Sequence, residues 1–306
     1  MNLEQLRGFT AIADVGHFTR AAEQLHLTQP SLSRQIATLE QELGSELFHR
    51  ARGNITLTAA GQALLPRARR MLADEESIRT EMADLAGLRR GRVRLGAPPS
   101  LCVSLVAEAL SIFRTRYPGV QLQMFEAGSH KLLEQLDGGA LDLALIVTSE
   151  HAVNGSHLEN LPLLEEQLVV IDSLEHPHLA GSELDLRALA PVPQLAFAHS
   201  YDLRASTAAA YKLAGLVPNI VVEGGEMDAV LRFVQRGLGV AVVPATVALD
   251  APGVRSIALR EPLARTIGLA HRRDVSLTRA AAAMQHLLSE TAAQLAARHG
   301  QISYLA

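Results

Sequence analysis

The chain is short of the residues on which several kinds of chemistry depend. It has one cysteine, no tryptophan and only two lysines, Lys131 and Lys212, among 28 basic residues. One cysteine cannot close an intramolecular disulfide, build a cysteine-based zinc site or form a two-cysteine redox switch, and it fits a reducing compartment. No apolar run approaches the roughly 20 residues of a membrane span. Met1 to Arg7 lack a charged segment followed by an apolar one, so no secretion signal is expected. There is no Walker loop, no G-x-G-x-x-G turn, no nucleophile elbow and no H-E-x-x-H pair. No catalytic residue, cofactor or bound metal is therefore expected. His176 and His178 flank Pro177, which reads as an exposed turn and not as a metal pair.

What is present is ample core material. The 306 residues are 48% hydrophobic, with a mean hydropathy of +0.14, enough for two or three folded domains. The net charge of −4 averages over unlike parts. Residues 1–70 carry 8 basic and 6 acidic side chains, whereas 91–306 carry 17 and 21. The N-terminal basic residues are all arginines, which suit bidentate contacts. So weak a positive field leaves any contact with a polyanion to a few specific groups, with a modest salt slope.

Hydrophobic spacing divides the chain into three regions. In residues 1–58, Leu3, Leu6, Phe9, Ile12 and Ala13 recur at helical spacing, and Gly16 ends that helix. Thr19 is placed to cap a second helix carrying Ala22 and Leu25. Thr28 is placed to cap a third, whose first turn holds Gln29 and Pro30, and Gly44 ends it. Residues 46–50 and 54–57 flank Ala51-Arg52-Gly53 as a small hairpin. A long helix follows from Thr58 to about Leu88. In it Leu64, Met71, Ile78 and Leu85 alternate with Ala68, Glu75 and Met82 in a 3.5-residue repeat, the period of a helix–helix seam. Glu75 is a polar flaw in that seam, and Pro66 is expected to loosen its first turns. Residues 92–306 alternate strand and helix. Strands are expected at 92–97, 121–126, 141–147, 167–171, 194–198, 219–223, 240–243 and 266–270, in mostly parallel α/β sheets. Pro162 and residues 260–263 are the expected crossings between two lobes.

The third helix has the character of a groove reader. Leu32, Ile36, Leu39 and Leu43 fall on one side and should be buried. Arg34 lies opposite, with Pro30, Ala37, Thr38 and Gln41 around it and Ser33 at the edge. No acidic residue precedes Glu40. A small, polar, arginine-bearing N-terminal face suits entry into a DNA major groove. Arginine can bridge guanine O6 and N7, and glutamine can bridge adenine N6 and N7. Arg50 and Arg52 on the hairpin would reach phosphates or a minor groove.

Residues 18–40, Phe-Thr-Arg-Ala-Ala-Glu-Gln-Leu-His-Leu-Thr-Gln-Pro-Ser-Leu-Ser-Arg-Gln-Ile-Ala-Thr-Leu-Glu, resemble the winged helix-turn-helix of LysR-type transcriptional regulators. So do Leu43-Gly-Ser-Glu-Leu-Phe-His-Arg and Leu57-Thr-Ala-Ala-Gly. Arg116-Tyr-Pro-Gly-Val, Leu141-Asp-Leu-Ala-Leu and residues 236–244, Arg-Gly-Leu-Gly-Val-Ala-Val-Val-Pro, resemble that family's effector domain. The resemblance runs in order along nearly the whole chain. It implies an α/β protein with a winged helix-turn-helix at 1–58, a dimerising linker helix at 59–89 and a two-lobed, type 2 periplasmic-binding-protein-like effector domain at 90–306. Lobe I would take about 92–162 plus 266–303, and lobe II about 163–265. Gln29, Pro30, Ser33, Arg34 and Thr38 would meet bases, and Arg50 and Arg52 would serve the wing. It further implies a cytoplasmic, nucleoid-associated homodimer or homotetramer on a pseudo-palindromic promoter site, answering to a small-molecule effector and not to a membrane.

In open α/β sheets ligands sit beyond the carboxyl ends of strands. Those ends place Ser100, Ser129, Thr148, His199, Ser200 and Arg204 as effector contacts. Ser100 is also placed to cap its helix, whose N-terminus would favour an anion. Small hydroxylic groups with one arginine suit a small organic acid better than a sugar. Phe197 reads as core, and Cys102 as a small packing residue near a helix N-terminus that could lower a thiol's pKa. Two other readings stay open on the residues alone. A transport-class solute-binding protein fits the α/β part but not the first 90 residues. An enzyme would be revived by turnover of a ligand in the crevice.

Overall fold

The computed structural model describes residues 1–51, 54–84, 91–148, 157–199, 201–249 and 251–306, and the statements that follow concern these. They form two compact units, one of residues 1–85 with the short segment 137–140, the other of the remainder.

In the first unit, α1 (Leu3–Val15) starts at a capping box between Asn2 and Gln5 and ends at Gly16, whose φ of 69° is left-handed. α2 is Phe18–Gln24. Its cap is His17, not the expected Thr19: the ring Nδ1 of His17 accepts the backbone N–H of Thr19. α3 (Gln29–Leu43) has Thr28 at its N-cap position and Pro30 in its first turn, and it ends at Gly44, with φ 65°. The Thr28 hydroxyl makes no capping bond. Leu32, Ile36 and Leu39 are fully buried, but Leu43 is exposed. The apolar stripe therefore stops one turn short of its expected length, because the helix runs out past the core. β1 (Phe48–Ala51) and β2 (Asn54–Leu57) pair as an antiparallel hairpin. α4 follows as Ala59–Asp84, 26 residues or about 39 Å long, with Pro66 inside it.

Packing of α4 redistributes the expected seam. Leu64, Leu65, Ala68 and Leu72 join the core built by Leu6, Phe9, Ile12, Leu32, Ile36 and Phe48. The fully buried side chains of that core, Leu6, Phe9, Ile12, Leu32 and Ile36, contribute about 1.5–3 kcal/mol each, and the half-buried leucines of α4 less. Glu75 is ion-paired to Arg7 of α1 and, at 2.7 Å, to Arg79. Ala68 and Glu75 thus serve the unit's own α1 and not a seam. Met71, Ile78 and Met82 are left exposed. The outer end of the expected helix, 85–90, lies outside the described residues.

The second unit begins with β3 (Gly91–Ala97), α5 (Pro99–Leu101), a π turn (Cys102–Val106) and α6 (Ala107–Arg116). β4 (Val120–Glu126), α7 (Ser129–Asp137), β5 (Leu143–Thr148) and β6 (Leu158–Ser173) come next. β7 (Glu183–Leu184), α8 (Leu186–Leu189), β8 (Gln194–Phe197), α9 (Asp202–Leu213), β9 (Ile220–Gly225) and α10 (Met227–Gln235) continue the chain. It closes with β10 (Ala241–Pro244), α11 (Ala245–Leu249), β11 (Val254–Leu259), β12 (Ala264–Arg272), α12 (Arg279–Arg298) and β13 (Ile302–Tyr304).

The sheet is mixed, not mostly parallel. β3 lies parallel to β4 and β5, and β8 parallel to β9. β12 runs antiparallel to β5, and β10, β11, β12 and β13 all run antiparallel to β6. The cause is β6, which has 16 residues where the sequence pattern marked only 167–171. Its first part, through Gln167, pairs with β12; from Leu168 onward it pairs with β10 and β11. One strand therefore crosses both lobes, and chains returning beside it must run the other way. Pro162 sits at a register shift, where Gly268 faces Pro162 and Ile267 faces Leu164. A bulge is where a residue lacking an N–H fits a ladder. The first crossing therefore falls at Gln167–Leu168 and not at the expected Pro162, which still pairs within lobe I; the second is the segment between β11 and β12, residues 260–263, as expected. Each lobe has its own buried core, one around Val93, Phe113, Leu145 and Met284, the other around Val170, Phe197, Val230 and Val243.

Candidate nucleic-acid interface and ligand crevice

The exposed face of α3 holds Gln29, Pro30, Arg34, Ala37, Thr38 and Gln41, with Ser33 half-buried beside them. Bonds one turn apart order these side chains. Gln29 Nε2 donates to Ser33 Oγ (3.0 Å), Arg34 Nε to the Pro30 carbonyl (3.3 Å) and Thr38 Oγ1 to the Arg34 carbonyl (3.0 Å). Only Nε of Arg34 is engaged among the described residues, so both terminal nitrogens can take a guanine edge or a phosphate. The turn before α3 is a tight Schellman ending of α2: the N–H of Leu27 reaches the Ala22 carbonyl (2.8 Å) and that of His26 the Glu23 carbonyl (3.1 Å). His26 takes φ 55° to allow this. The hairpin is tied to α3 by the Leu47 N–H, which donates to Glu40 Oε1 at 2.8 Å. Arg50 lies on β1 opposite Ile55; Arg52 falls outside the described residues.

The crevice between the lobes is built around a buried ion pair. Glu166 on β6 and Arg265 on β12 are register partners, and both side chains are withdrawn from water. Arg265 donates to Glu166 Oε1 through Nε (2.9 Å) and NH2 (2.6 Å), and through NH2 to Ser100 Oγ (2.8 Å). Thr246 on α11 donates its hydroxyl to Glu166 Oε2 at 2.7 Å. Ser100 therefore does not cap its helix; Pro98 holds the cap position, and Ser100 sits inside the first turn as an acceptor for Arg265. Both lobes meet at this cluster, directly beside the strand crossing.

Ser129 closes the crevice from the other side. Its Oγ donates to Asp202 (2.6 Å) and accepts the N–H of Val147 (2.9 Å), while its own N–H reaches Asp202 at 3.2 Å. Beside Asp202 lies a cavity of about 490 Å³, lined by Glu126, Gly128, His130, Lys131, Tyr201, Asp202 and Glu226 among others. A much smaller recess touches Ser100, Asp202, Met227 and Arg265. The walls thus carry three carboxylates against one lysine.

The expected crevice residues separate. Ser100 and Ser129 belong to it. The Thr148 hydroxyl donates to the Thr266 carbonyl at 3.2 Å on the neighbouring strand. His199 is exposed, 3.8 Å from Glu223. Ser200 lies outside the described residues. Arg204 is corrected: its guanidinium is 2.5 Å from Glu223, and it lines a separate cavity within lobe II, because α9 turns that face toward β8. Asp202 and Arg265 had no signal in the sequence, since their partners lie 73 to 165 residues away in the chain. Cys102 is half-buried, with Sγ 3.7 Å from the Ala97 carbonyl. Burial, with Glu126 nearby, pushes its thiol up to about 12, so it stays protonated. Among the described residues no cluster of three or more candidate metal ligands occurs, and no helix is long and apolar enough to cross a membrane.

Comparison with known proteins agrees with this architecture. Residues 3–62 match the model of the bacterial regulatory helix-turn-helix proteins of the lysR family, and residues 86–293 match that of the LysR substrate binding domain. YybE of Bacillus subtilis, an uncharacterised regulator of the helix-turn-helix type, is 32% identical over 88% of this chain and 92% of its own length. The regulator IlvR of Caulobacter vibrioides is 32% identical over 90% and 93%. Among solved structures, full-length OxyR of Pseudomonas aeruginosa superposes with a TM-score of 0.71 at 25% identity, covering 95% of this chain and 94% of that one. CbnR shares the fold at a TM-score of 0.69 and 23% identity, over 95% and 99%. The chain belongs to the LysR family of transcriptional regulators, with an N-terminal DNA-binding head and a C-terminal effector domain. It is a regulator and not an enzyme.

Proposed function

We propose that this regulator reads DNA through Gln29, Pro30, Ser33, Arg34 and Thr38 on α3, with Arg50 and Arg52 on the wing beside the phosphates. The observation that carries this reading is the acid-free N-terminal face of α3, on which Arg34 keeps two guanidinium nitrogens available. Exposed Met71, Ile78 and Met82 on α4 support pairing of two chains through that helix, and a tetramer would follow by pairing of dimers. A dimer presents two recognition helices to half-sites about one helical turn apart in a pseudo-palindromic promoter of nucleoid DNA in the cytoplasm. The domain limits that go with this reading are 1–58 for the head, 59–89 for the linker and 90–306 for the effector domain. Arg34→Ala should weaken specific binding by about 1–3 kcal/mol and relax base preference at one position of each half-site. Unchanged affinity and unchanged preference in a binding assay on a base-substituted site series would overturn the assignment.

The crevice takes the effector, with Ser100 and Ser129 of the expected residues, and Arg265 beside Ser100, as contact groups. Walls bearing Glu126, Asp202 and Glu226 beside Lys131 favour a small organic acid that also carries an ammonium group. Amino-acid-like metabolites should raise the melting temperature by mass action, and their deaminated counterparts should not. The opposite ranking would sink this ligand class.

A further inference from the structure

Lobe II holds a second cavity, apart from the crevice, of about 440 Å³. It lies between α9, residues 216–220 and the strands β8 and β10. Leu195, Phe197, Tyr211 and Val242, all buried, form its floor. The space opens to solvent on one side, and its volume falls within the range of small-molecule pockets, about 300–1,000 Å³.

Charge at the cavity points to the ligand. Arg204 and Lys212, at i and i+8 on α9, both line it. Arg204 is neutralised by Glu223 at 2.5 Å. Lys212 has no hydrogen bond or ion pair among the described residues, and it is one of only two lysines in the chain. The balance is one solvent-exposed positive charge at the rim of an apolar floor. Leu213 and Val217, exposed by 89% and 87%, leave neighbouring apolar surface uncovered. The main crevice has the reverse character, with carboxylates in excess.

We propose that this cavity binds an amphipathic monocarboxylate, its hydrocarbon body on Leu195, Phe197 and Val242 and its carboxylate on Lys212. Such an acid would act on lobe II independently of the crevice effector. The absence of tryptophan makes a local test direct. Val217→Trp introduces a single reporter beside the cavity, in the full-length protein. Titration with octanoate should give a saturable shift of its emission, octanol should bind at least tenfold more weakly, and Lys212→Ala added to the reporter should remove that preference. No saturable response to octanoate up to millimolar concentration, or equal binding of octanol and octanoate, would overturn the proposal. So would emission that changes with protein concentration and not with octanoate, since a second copy of the chain would then cover this surface.

Discussion

Asp202 and Ser129 join the two lobes through the chain's own carboxylate: a hydroxyl at 2.6 Å and a backbone N–H at 3.2 Å, both at the N-terminus of α7. A helix N-terminus with a serine at its start is a favourable place for an anion, and here Asp202 already occupies it. An internal contact thus links the two lobes beside the cavity that would admit a ligand. Asp202→Asn should loosen it. A hydrogen bond to a charged group contributes about 1.5–3 kcal/mol, so hydrogen exchange at the Val147 and Ser129 amides should accelerate by one to two orders of magnitude. Unchanged protection there would show that the lobes are held by the Glu166–Arg265 cluster alone.

Gly61 explains the glycine of the Leu57-Thr-Ala-Ala-Gly segment. A Cβ at this position would stand 2.2 Å from the Leu47 carbonyl oxygen and 2.9 Å from Leu57. The same carbonyl accepts the Thr58 N–H at 3.0 Å, and the Thr58 hydroxyl accepts the Gly61 N–H. α4 therefore seats directly on the backbone where the wing begins. Gly61→Ala should destabilise the head by about 1–3 kcal/mol, as overpacking of a tight contact does. DNA affinity should fall even though α3 is untouched. Thermal unfolding and a DNA titration on the same variant check both parts.

His26 is the only described non-glycine residue with positive φ. The Schellman ending of α2 demands that conformation, which costs an L-residue about 1–2 kcal/mol, while glycine gives back part of the gain through its unfolded-state entropy. His26→Gly should stabilise the head by about 0.5–1 kcal/mol, and His26→Val should destabilise it. Denaturant midpoints of the two variants should lie on opposite sides of the parent. If both fall below it, the imidazole makes a contribution that outweighs the backbone strain.

Local signals were readable in the sequence and distant pairings were not. Leu32, Ile36, Leu39, Pro30 and Gly44 define α3 within 15 residues, and so its exposed face could be drawn without coordinates. The Arg265 guanidinium finds Glu166 and Ser100 across 99 and 165 residues of chain, where no spacing rule operates. Ser100 looked like a cap because a serine ahead of a helix usually is one. Its real partner comes from the opposite side of the sheet's connectivity. For the same reason the antiparallel returns β11 and β13 escaped the strand–helix alternation, which describes neighbours in sequence and not neighbours across β6.

Asp172 is a buried carboxylate whose lowered pKa predicts acid sensitivity in lobe II. The carboxylate is fully buried and accepts the N–H groups of His178 (3.0 and 3.1 Å) and Leu179 (3.0 Å), and a guanidinium nitrogen of Arg255 at 2.9 Å. Burial alone would raise its pKa; the His178 N–H, Arg255 and the Leu179 N–H outweigh burial and hold it below the usual carboxylate range. A depressed folded-state value means the unfolded chain binds the proton more readily. The resulting stability is present above the ordinary aspartate pKa of about 3.9 and is lost as pH falls through the lower folded value. Asp172→Asn keeps the shape but removes the charge opposite Arg255. Breaking a buried pair costs about 3–5 kcal/mol, and partial exposure of the Arg255 side chain places this one at the lower end. The variant should unfold at lower urea at pH 7, and its stability should change less than the parent's between pH 5 and pH 2. A parent and variant with parallel acid limbs would assign the acid sensitivity to other carboxylates.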